Sequence, residues 1–495
     1  DSPNADMGYD IRDYEKIMAE FGTMEDFDEL LREMHSRDIK LVMDLVVNHS
    51  SDEHRWFVES RSSRENPYRD YYIWRDGKDG REPNNWASFF TPSAWSYDEG
   101  TGQWYLHLFS EKQPDLNWEN PSVREEVYSM INRWFDRGVD GFRMDVITVI
   151  AKAPGLPDGK GAPGAGGYVF SPEHFAFQPK LHEYLREMRR RCFDGRDCMC
   201  VGETSFVNTE NANSLVGDGR ELDLLFQFDL MDMDGEGSKW NAIPLDVPKL
   251  KRIVAAWQGA IDWNTLFLGN HDQPRVVSRF GDTSSEELWK RSAKCLATLM
   301  YLQRGTPFIY QGEELGMTNA PFETREQLRD VEELNLLALC SSEAELEWAW
   351  RGIKAKGRDN ARTPMQWSAG ENADFTTGEP WIMLNPNYTD INAEAEEGDP
   401  DSVLNYYRAL IALRDSTPAL LRGDWRELLP ESGQVVAYTR GLDGEEYAVL
   451  CNLSRESAPL PCRLGDFGEP VLSNMPADPA AEALRPYEAQ VLKKG

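Results

Sequence analysis

The sequence predicts an α/β fold built on parallel strands, as an open sheet or a barrel, with smaller domains attached. Three observations carry that reading. The chain has 495 residues, too many for one simple core and enough for two or three domains. Short apolar runs alternate with amphipathic helices, the rhythm of repeated βα units. Each apolar run also ends, on its C-terminal side, in polar residues, which is where a parallel barrel gathers its functional groups.

The elements follow in order. Thr23 suits an N-cap, and Phe27, Leu30, Leu31 and Met34 recur behind it at helical spacing. "IKLVMDLVVNH" (39–49) reads as the first strand and "VDGFRMDVI" (139–147) as the second. Side chains alternate along a strand, so Val139, Gly141, Arg143 and Asp145 share one face while Phe142, Met144 and Val146 share the other. A charged pair on so apolar a strand is a satisfied bridge or the wall of a polar site, because burying an unpaired charge costs several kcal/mol. Further strands are read at 198–204, 222–230, 264–272 and 305–314. Leu404, Tyr407, Leu410 and Ile411 mark a late helix, and "QVVAYTRGLDGEEYAVLCNL" gives two strands around a Gly/Asp turn.

Two stretches break the rhythm. The segment 50–116 is rich in Trp, Tyr, Asn, Gly and Pro and is too long for an ordinary βα loop, so it is expected to be an inserted small domain. Its aromatics Tyr71, Trp74, Trp86, Trp95 and Trp104 are assigned to that domain's own core rather than to ligand contact. A second insertion spans 313–400, and its acidic piece "NAEAEEGDPD" reads as a solvated surface run. The expected division is a catalytic part at 1–49 and 117–417, the insertion at 50–116, and a C-terminal β-sandwich at 418–495.

Composition excludes several partners. With 53 basic and 85 acidic residues the net charge is −32, a sign that repels nucleic-acid phosphates and anionic lipid. No apolar run is long enough to span a membrane, and the start lacks a signal-peptide pattern. The seven cysteines, an odd number without a repeated C-x-x-C unit, read as free thiols of a cytoplasmic protein. The cluster "CFDGRDCMC" fits no common zinc spacing.

The polar strand ends supply Asp44, Asn48 and His49, then Arg143 and Asp145, then Glu203, then His271 and Asp272. Carboxylates from different strands, with an arginine and two histidines, suit glycoside cleavage: one must stay ionised to attack the anomeric carbon, and another must stay protonated to assist the leaving oxygen. Arg143 is expected to keep Asp145 ionised, while an acid facing other negative charges is pushed toward its protonated form. His35, His54, His107, His174 and His182 stand alone and read as structural or surface residues.

Here the sequence resembles a known family. "DLVVNH", "GFRMDVI", "VGETS" and "FLGNHDQPR", in this order, are similar to the four signature regions of the α-amylase family of glycoside hydrolases. The resemblance implies a (β/α)8 barrel and a retaining mechanism, with Asp145 as nucleophile, Glu203 as general acid/base and Asp272 as a third carboxylate that holds sugar hydroxyls. It also implies that His49, Arg143 and His271 line the pocket for the glucosyl ring. "QPDLNWENP", "YQGEELGMTN" and "RDNARTPMQW" resemble the oligo-1,6-glucosidases, dextran glucosidases and close α-glucosidases, in which the residues matching Asp6, Tyr9 and Arg362 close the pocket around a terminal glucose. That implies exo-action on short chains. Val146, directly after the nucleophile, matches the residue of the family's 1,6-selective members.

The same resemblance places the start of the chain in the loop after the second barrel strand. The expectation is therefore a truncated copy with six barrel strands, starting near Ile39, Val139, Cys198, Leu222, Asn264 and Gly305, and with a gap beside the first. The family's divalent-cation loop would lie outside it, so neither metal nor cofactor is expected. The expected partner is a small oligosaccharide substrate, and the protein is expected to be a monomer. Rival readings are an α-1,4-selective α-glucosidase, a sucrose isomerase or transglucosidase, and a catalytically inactive transporter heavy chain. The isomerases' charged run after "NHDQPR" is replaced here by "VVSRFGD", and no membrane anchor accompanies the carboxylates.

Overall fold

A computed structural model describes the chain except for residues 91, 218–219, 461–465 and 477–481. The chain divides into two compact units, Asp1–Phe228 and Asp229–Gly495.

In the first unit four parallel strands form one sheet in chain order: β1 (Val42–Leu45), β2 (Gly141–Met144), β3 (Met199–Glu203) and β4 (Leu224–Phe226). Asp44 lies opposite Arg143 in the ladder, and Arg143 lies opposite Val201. The strands pack so closely that a Cβ on Gly141 would sit 2.3 Å from the Met199 carbonyl oxygen, which is why glycine opens β2. All the strands are shorter than their apolar runs. Asp44, Arg143 and Glu203 are paired within the ladder, Asn48, His49 and Asp145 follow the strand ends, and Val146, read from the alternation as a strand residue, lies outside β2 with φ 34°. Among the described residues β1 has β2 as its ladder partner, and beside it lies a cavity of about 230 Å³ lined by Tyr14, Met43, Leu45, Trp134 and Phe142.

Helices cover the sheet. The helix Met24–His35 begins at Thr23, whose hydroxyl accepts the Asp26 N–H in a capping box. Phe27 and Leu31 are buried on it, Phe27 meeting the Trp134 ring edge at 5.2 Å, whereas Leu30 is 51% exposed. The apolar stripe is thus narrower than its spacing suggests, since one turn of residues reaches the neighbouring helix. That neighbour, Pro121–Arg137, is capped by Asn120 and ends at Gly138 in the left-handed conformation. It lays Phe135 against Phe142 of β2 at 5.0 Å.

The inserted segment builds its own layer. Helix Arg55–Ser60 is capped by the His54 Nδ1, and the strands Trp74–Arg75, Gln103–Leu106 and Trp95–Asp98 pair antiparallel in that order. Trp86, Trp95, Leu106, Leu108, Phe109 and Phe175 form a buried cluster against which Trp104 and Val146 pack. Tyr71 and Trp74 are buried too, so the aromatics serve this core as expected.

The second unit carries the remaining two parallel strands, β5 (Asn264–Leu266) and β6 (Gly305–Pro307), paired with each other. Its C-terminal sheet has five antiparallel strands in the order 424–428, 435–442, 445–452, 489–494, 467–473. Asp443 and Gly444, both at positive φ, make the tight hairpin between the second and third of these. The sheet is fastened to the helix Glu286–Tyr301 and the turn after it: Tyr438 Oη donates to the Leu299 carbonyl at 3.0 Å and Arg440 Nη1 to that of Leu302 at 2.6 Å.

Several expectations need correction. The acidic piece at 392–401 is not a wholly solvated run: it forms the helix Ala393–Gly398, and Glu396 is buried, accepting the Leu404 N–H at 2.9 Å. Burial pushes its pKa up to about 7. On the late helix, Val403–Ser416, Tyr407 and Leu410 are buried but Ile411 is exposed. His35 and His182 do not stand alone, since they meet Asp140 and Glu221 at 2.8 Å each. The described cysteines are free, and Cys462 lies outside the described residues. Among the described residues no helix is long and apolar enough to cross a membrane.

Candidate active site

The first unit assembles its site at the C-terminal ends of β1, β2 and β3. Arg143 sits one residue before the end of β2, and its guanidinium bonds three carboxylates. Nη1 donates to Asp145 Oδ1 at 2.7 Å and to both Asp44 oxygens at 2.9 and 3.0 Å, and Nη2 donates to Glu203 Oε2 at 2.8 Å. Tyr9 completes the group, its hydroxyl donating to Asp44 Oδ2 at 2.7 Å beneath the guanidinium. Asp145 is held from behind by its own N–H, which donates to the Leu45 carbonyl at 3.0 Å.

Val146 then turns the chain away. Its φ and ψ are 34° and 39°, a left-handed conformation that a β-branched residue adopts only when its surroundings impose it. The consequence is that its N–H donates to Glu203 Oε2 at 2.9 Å. Glu203 is therefore fixed by both the side chain and the backbone of the strand that carries Asp145.

A second layer supports this cluster. His49 is buried; its Nε2 contacts the Tyr9 carbonyl at 2.9 Å and its Nδ1 lies 3.1 Å from Asn48 Nδ2. A donor to a carbonyl on one side and an acceptor on the other makes the ring neutral, in keeping with burial pulling its pKa down. Gln113 Nε2 donates to Asp6 Oδ2 and to the Tyr9 carbonyl, both at 3.0 Å. Lys152, buried, bonds Asp115 Oδ2 at 2.6 Å and Asn48 Oδ1 at 2.8 Å. Asp6, Tyr9 and His49 are thus gathered as the sequence expects. Gln113, Asp115 and Lys152 had no assigned role, although the first two lie in the "QPDLNWENP" motif.

The charge state departs from expectation. Burial drives the Asp145 pKa well above the usual carboxylate range, and Glu203 and Asp44 add to that, against the pull of Arg143. One guanidinium spread over three acids does not hold Asp145 ionised as firmly as a private ion pair would.

The second unit holds its own cluster around Asp272. Arg362 Nη2 and Arg358 Nη1 donate to Asp272 Oδ1 at 2.7 and 3.2 Å, and Arg362 Nε donates to the His271 carbonyl at 3.0 Å. Both arginines also grip Asp330 Oδ2, at 2.6 Å from Arg358 Nη2 and 2.9 Å from Arg362 Nη1. Asp330 Oδ1 meanwhile accepts the Glu332 and Glu333 N–H groups and so caps the helix Val331–Leu339. Burial alone would raise Asp330, but Arg358 and Arg362 outweigh it and hold its pKa below the usual range. Arg362 and His271 were named from the sequence; Arg358 stood inside a quoted motif, and Asp330 carried no signal. Among the described residues no group of three or more His, Cys, Asp or Glu is arranged to hold a metal ion.

Comparison with known proteins fits this geometry. The alpha-amylase catalytic domain matches residues 1–423 of the chain. The chain belongs to the alpha-amylase family. It is a glycoside hydrolase with the α/β barrel class that its sequence predicts. It is 51% identical to the oligo-1,6-glucosidase of Parageobacillus thermoglucosidasius, over 99% of this chain and 90% of that protein. It is 50% identical to the oligo-1,6-glucosidase of Halalkalibacterium halodurans, over 99% of this chain and 89% of that one. Among solved structures it is similar to the trehalulose synthase from Pseudomonas mesoacidophila, at 44% identity and a TM-score of 0.92, covering 100% of this chain and 90% of the other.

The two clusters of this alpha-amylase family member predict opposite pH signatures. The folded pKa of Asp145 is raised, so its contribution to stability is intact below the unfolded value of about 3.9 and is lost as pH rises toward the folded value. Asp145→Asn is expected to abolish turnover yet stabilise the fold at pH 7 by about 1–3 kcal/mol, with the gain vanishing below about pH 4. The folded pKa of Asp330 is depressed, so its stabilisation is present above about pH 3.9 and lost as pH falls through the folded value. Asp330→Asn, which keeps a capping oxygen, is expected to destabilise by about 3 kcal/mol at pH 7 and by much less near pH 3. Urea unfolding of both variants across pH checks this; equal signs at pH 7 would refute the charge assignment.

Proposed function

We propose that this protein is a retaining, exo-acting α-glucosidase that hydrolyses α-1,6-glucosidic bonds at the non-reducing end of short isomalto-oligosaccharides. The observation that carries the reading is the shared grip on two carboxyls: one guanidinium holds Asp145 and Glu203 together, and the N–H next to Asp145 also holds Glu203. A retaining glycosidase needs its two carboxyl groups about 5–5.5 Å apart, close enough for one to attack carbon while the other touches the bridging oxygen.

In this proposal Asp145 forms a bond to the anomeric carbon as the glycosidic C–O bond breaks, and Glu203 delivers its proton to the departing oxygen. Glu203 then takes a proton from water, which displaces the Asp145 ester and releases glucose with the configuration retained. Burial favours a proton on Asp145 in the resting protein, and catalysis uses the arrangement with the proton on Glu203 instead. Asp272 serves as the third carboxylate for sugar hydroxyls. His49, Arg143 and His271 line the place of the glucosyl ring, and Asp6, Tyr9 and Arg362 close its far end.

The names of the two relatives support the α-1,6 preference. The likeness to a trehalulose synthase raises sucrose isomerisation as the second reading. Against it, the segment after "NHDQPR" forms the short helix Val276–Phe280, and its Arg279 is committed to Asp234 and the Met231 carbonyl. We further propose a cytoplasmic monomer that works without metal or cofactor, with the domain limits read from the sequence.

Chromatography of products from isomaltotriose, maltotriose and sucrose tests the reading: glucose released stepwise from isomaltotriose is expected, and isomerised sucrose as the main product would overturn it. Val146 packs against the inserted domain's core directly after Asp145, so its side chain narrows the space beside the nucleophile. Val146→Ala is expected to shift the kcat/KM ratio of maltose to isomaltose upward by about 1–3 kcal/mol in relative transition-state energy, the worth of a methyl-sized pocket change. An unchanged ratio would leave Val146 as a positioner of Glu203 through its N–H and nothing more.

A further inference from the structure

Glu203 is followed by a segment pinned on both sides. The Thr204 N–H and hydroxyl donate to the Phe226 carbonyl at 3.2 and 2.9 Å, and the Ser205 carbonyl accepts the Thr148 hydroxyl at 2.9 Å. At the tip of this turn stands Phe206, with φ 67°. A bulky residue in the left-handed region is strained where glycine would be relaxed, and such strain persists where something else depends on the side chain.

That side chain is not spent on the core. Phe206 is 38% exposed and Phe170, 6.1 Å away between ring centroids, is 43% exposed. Behind them Phe89 lies 6.4 Å from Phe206 and 5.1 Å from Phe170. Phe89 in turn stacks on Phe109 at 4.7 Å, and Phe109 meets His49 at 5.0 Å. A continuous aromatic wall therefore runs from His49, in the layer that supports the carboxylate cluster, outward to two half-exposed rings beyond Glu203.

Resting on the glycosidase reading above, we infer that Phe206, with Phe170 beside it, is the aromatic platform for the sugar ring on the leaving-group side of the scissile bond. Glu203 gives its proton to the leaving oxygen, so a residue just beyond it faces the departing sugar rather than the glucosyl ring held near His49. The C–H faces of a pyranose pack on flat apolar rings, and two exposed rings continuous with the site offer such a surface.

Two variants separate this role from simple packing. Phe206→Gly removes the ring and relaxes the backbone, and Phe206→Asn removes the ring while tolerating the same φ should the glycine variant fold poorly. α-Glucosyl fluoride has a leaving group with no ring, so the ratio of kcat/KM on isomaltose to that on the fluoride reads the platform alone. We expect this ratio to fall about tenfold in either variant, to return in Phe206→Tyr, and the glycine variant's Tm to hold or rise. An unchanged ratio, or a loss on both substrates together with a lower Tm, would overturn the platform. If the wild type cleaves maltose but not isomaltose, the bond assignment fails separately, and the maltose-to-fluoride ratio in the same variants then decides the platform.

Discussion

Arg143 bonds Asp44, Asp145 and Glu203 at once, and much of the first unit is arranged around that imbalance of one cation against three acids. Asp145 and Glu203 are buried while Asp44 is more than a third exposed, and burial together with the two neighbouring acids raises the Asp145 pKa against the pull of Arg143. Retaining a proton relieves the excess. The double displacement proposed above needs that proton on Glu203 and the charge on Asp145, since the acid must be protonated before attack and the nucleophile ionised.

The second unit shows what happens when more than one cation is at hand. Asp330 faces both Arg358 and Arg362, which also hold Asp272 and, from Arg358, Glu332, and Asp330 is held below the usual range although it is fully buried. Burial is common to both clusters and pushes both aspartates the same way. The stoichiometry of charge decides the outcome, so Asp145 is raised and Asp330 depressed. Asp330 thus braces the two arginines that hold Asp272, whereas Asp145 shares its single guanidinium with two other acids.

These charge ratios were only partly legible in the sequence. The alternation along "VDGFRMDVI" correctly put Arg143 and Asp145 together, because strand geometry is local, and the polar ends of the first three apolar runs supplied Asp44, Asp145 and Glu203. It could not show that Asp44 and Glu203 would compete for the same guanidinium, since that follows from the ladder placing Asp44 opposite Arg143. Asp330 was invisible because its partners lie about thirty residues away in sequence, and Lys152 because a lone lysine on a loop has no pattern. Glu396 sat in a run whose composition says solvent; a single backbone N–H from Leu404 gives it an interior role.

The backbone strain follows from the same constraint. A strand that delivers a carboxyl at its end must turn away at once, or the chain would fill the space the substrate needs. After Asp145 the turn is made at Val146, and after Glu203 it is completed at Phe206, each left-handed and neither glycine. Glycine would make either turn without strain, but it would supply neither the branched side chain packed beside Asp145 nor the exposed ring beyond Glu203. Holding such residues at positive φ requires rigid neighbours, and the inserted segment provides them: Val146 packs on its buried cluster, and Phe206 rests against Phe89 of that segment. The inserted segment therefore braces both turns, the one beside Asp145 and the one beyond Glu203, and its aromatic core is the mechanical support for both.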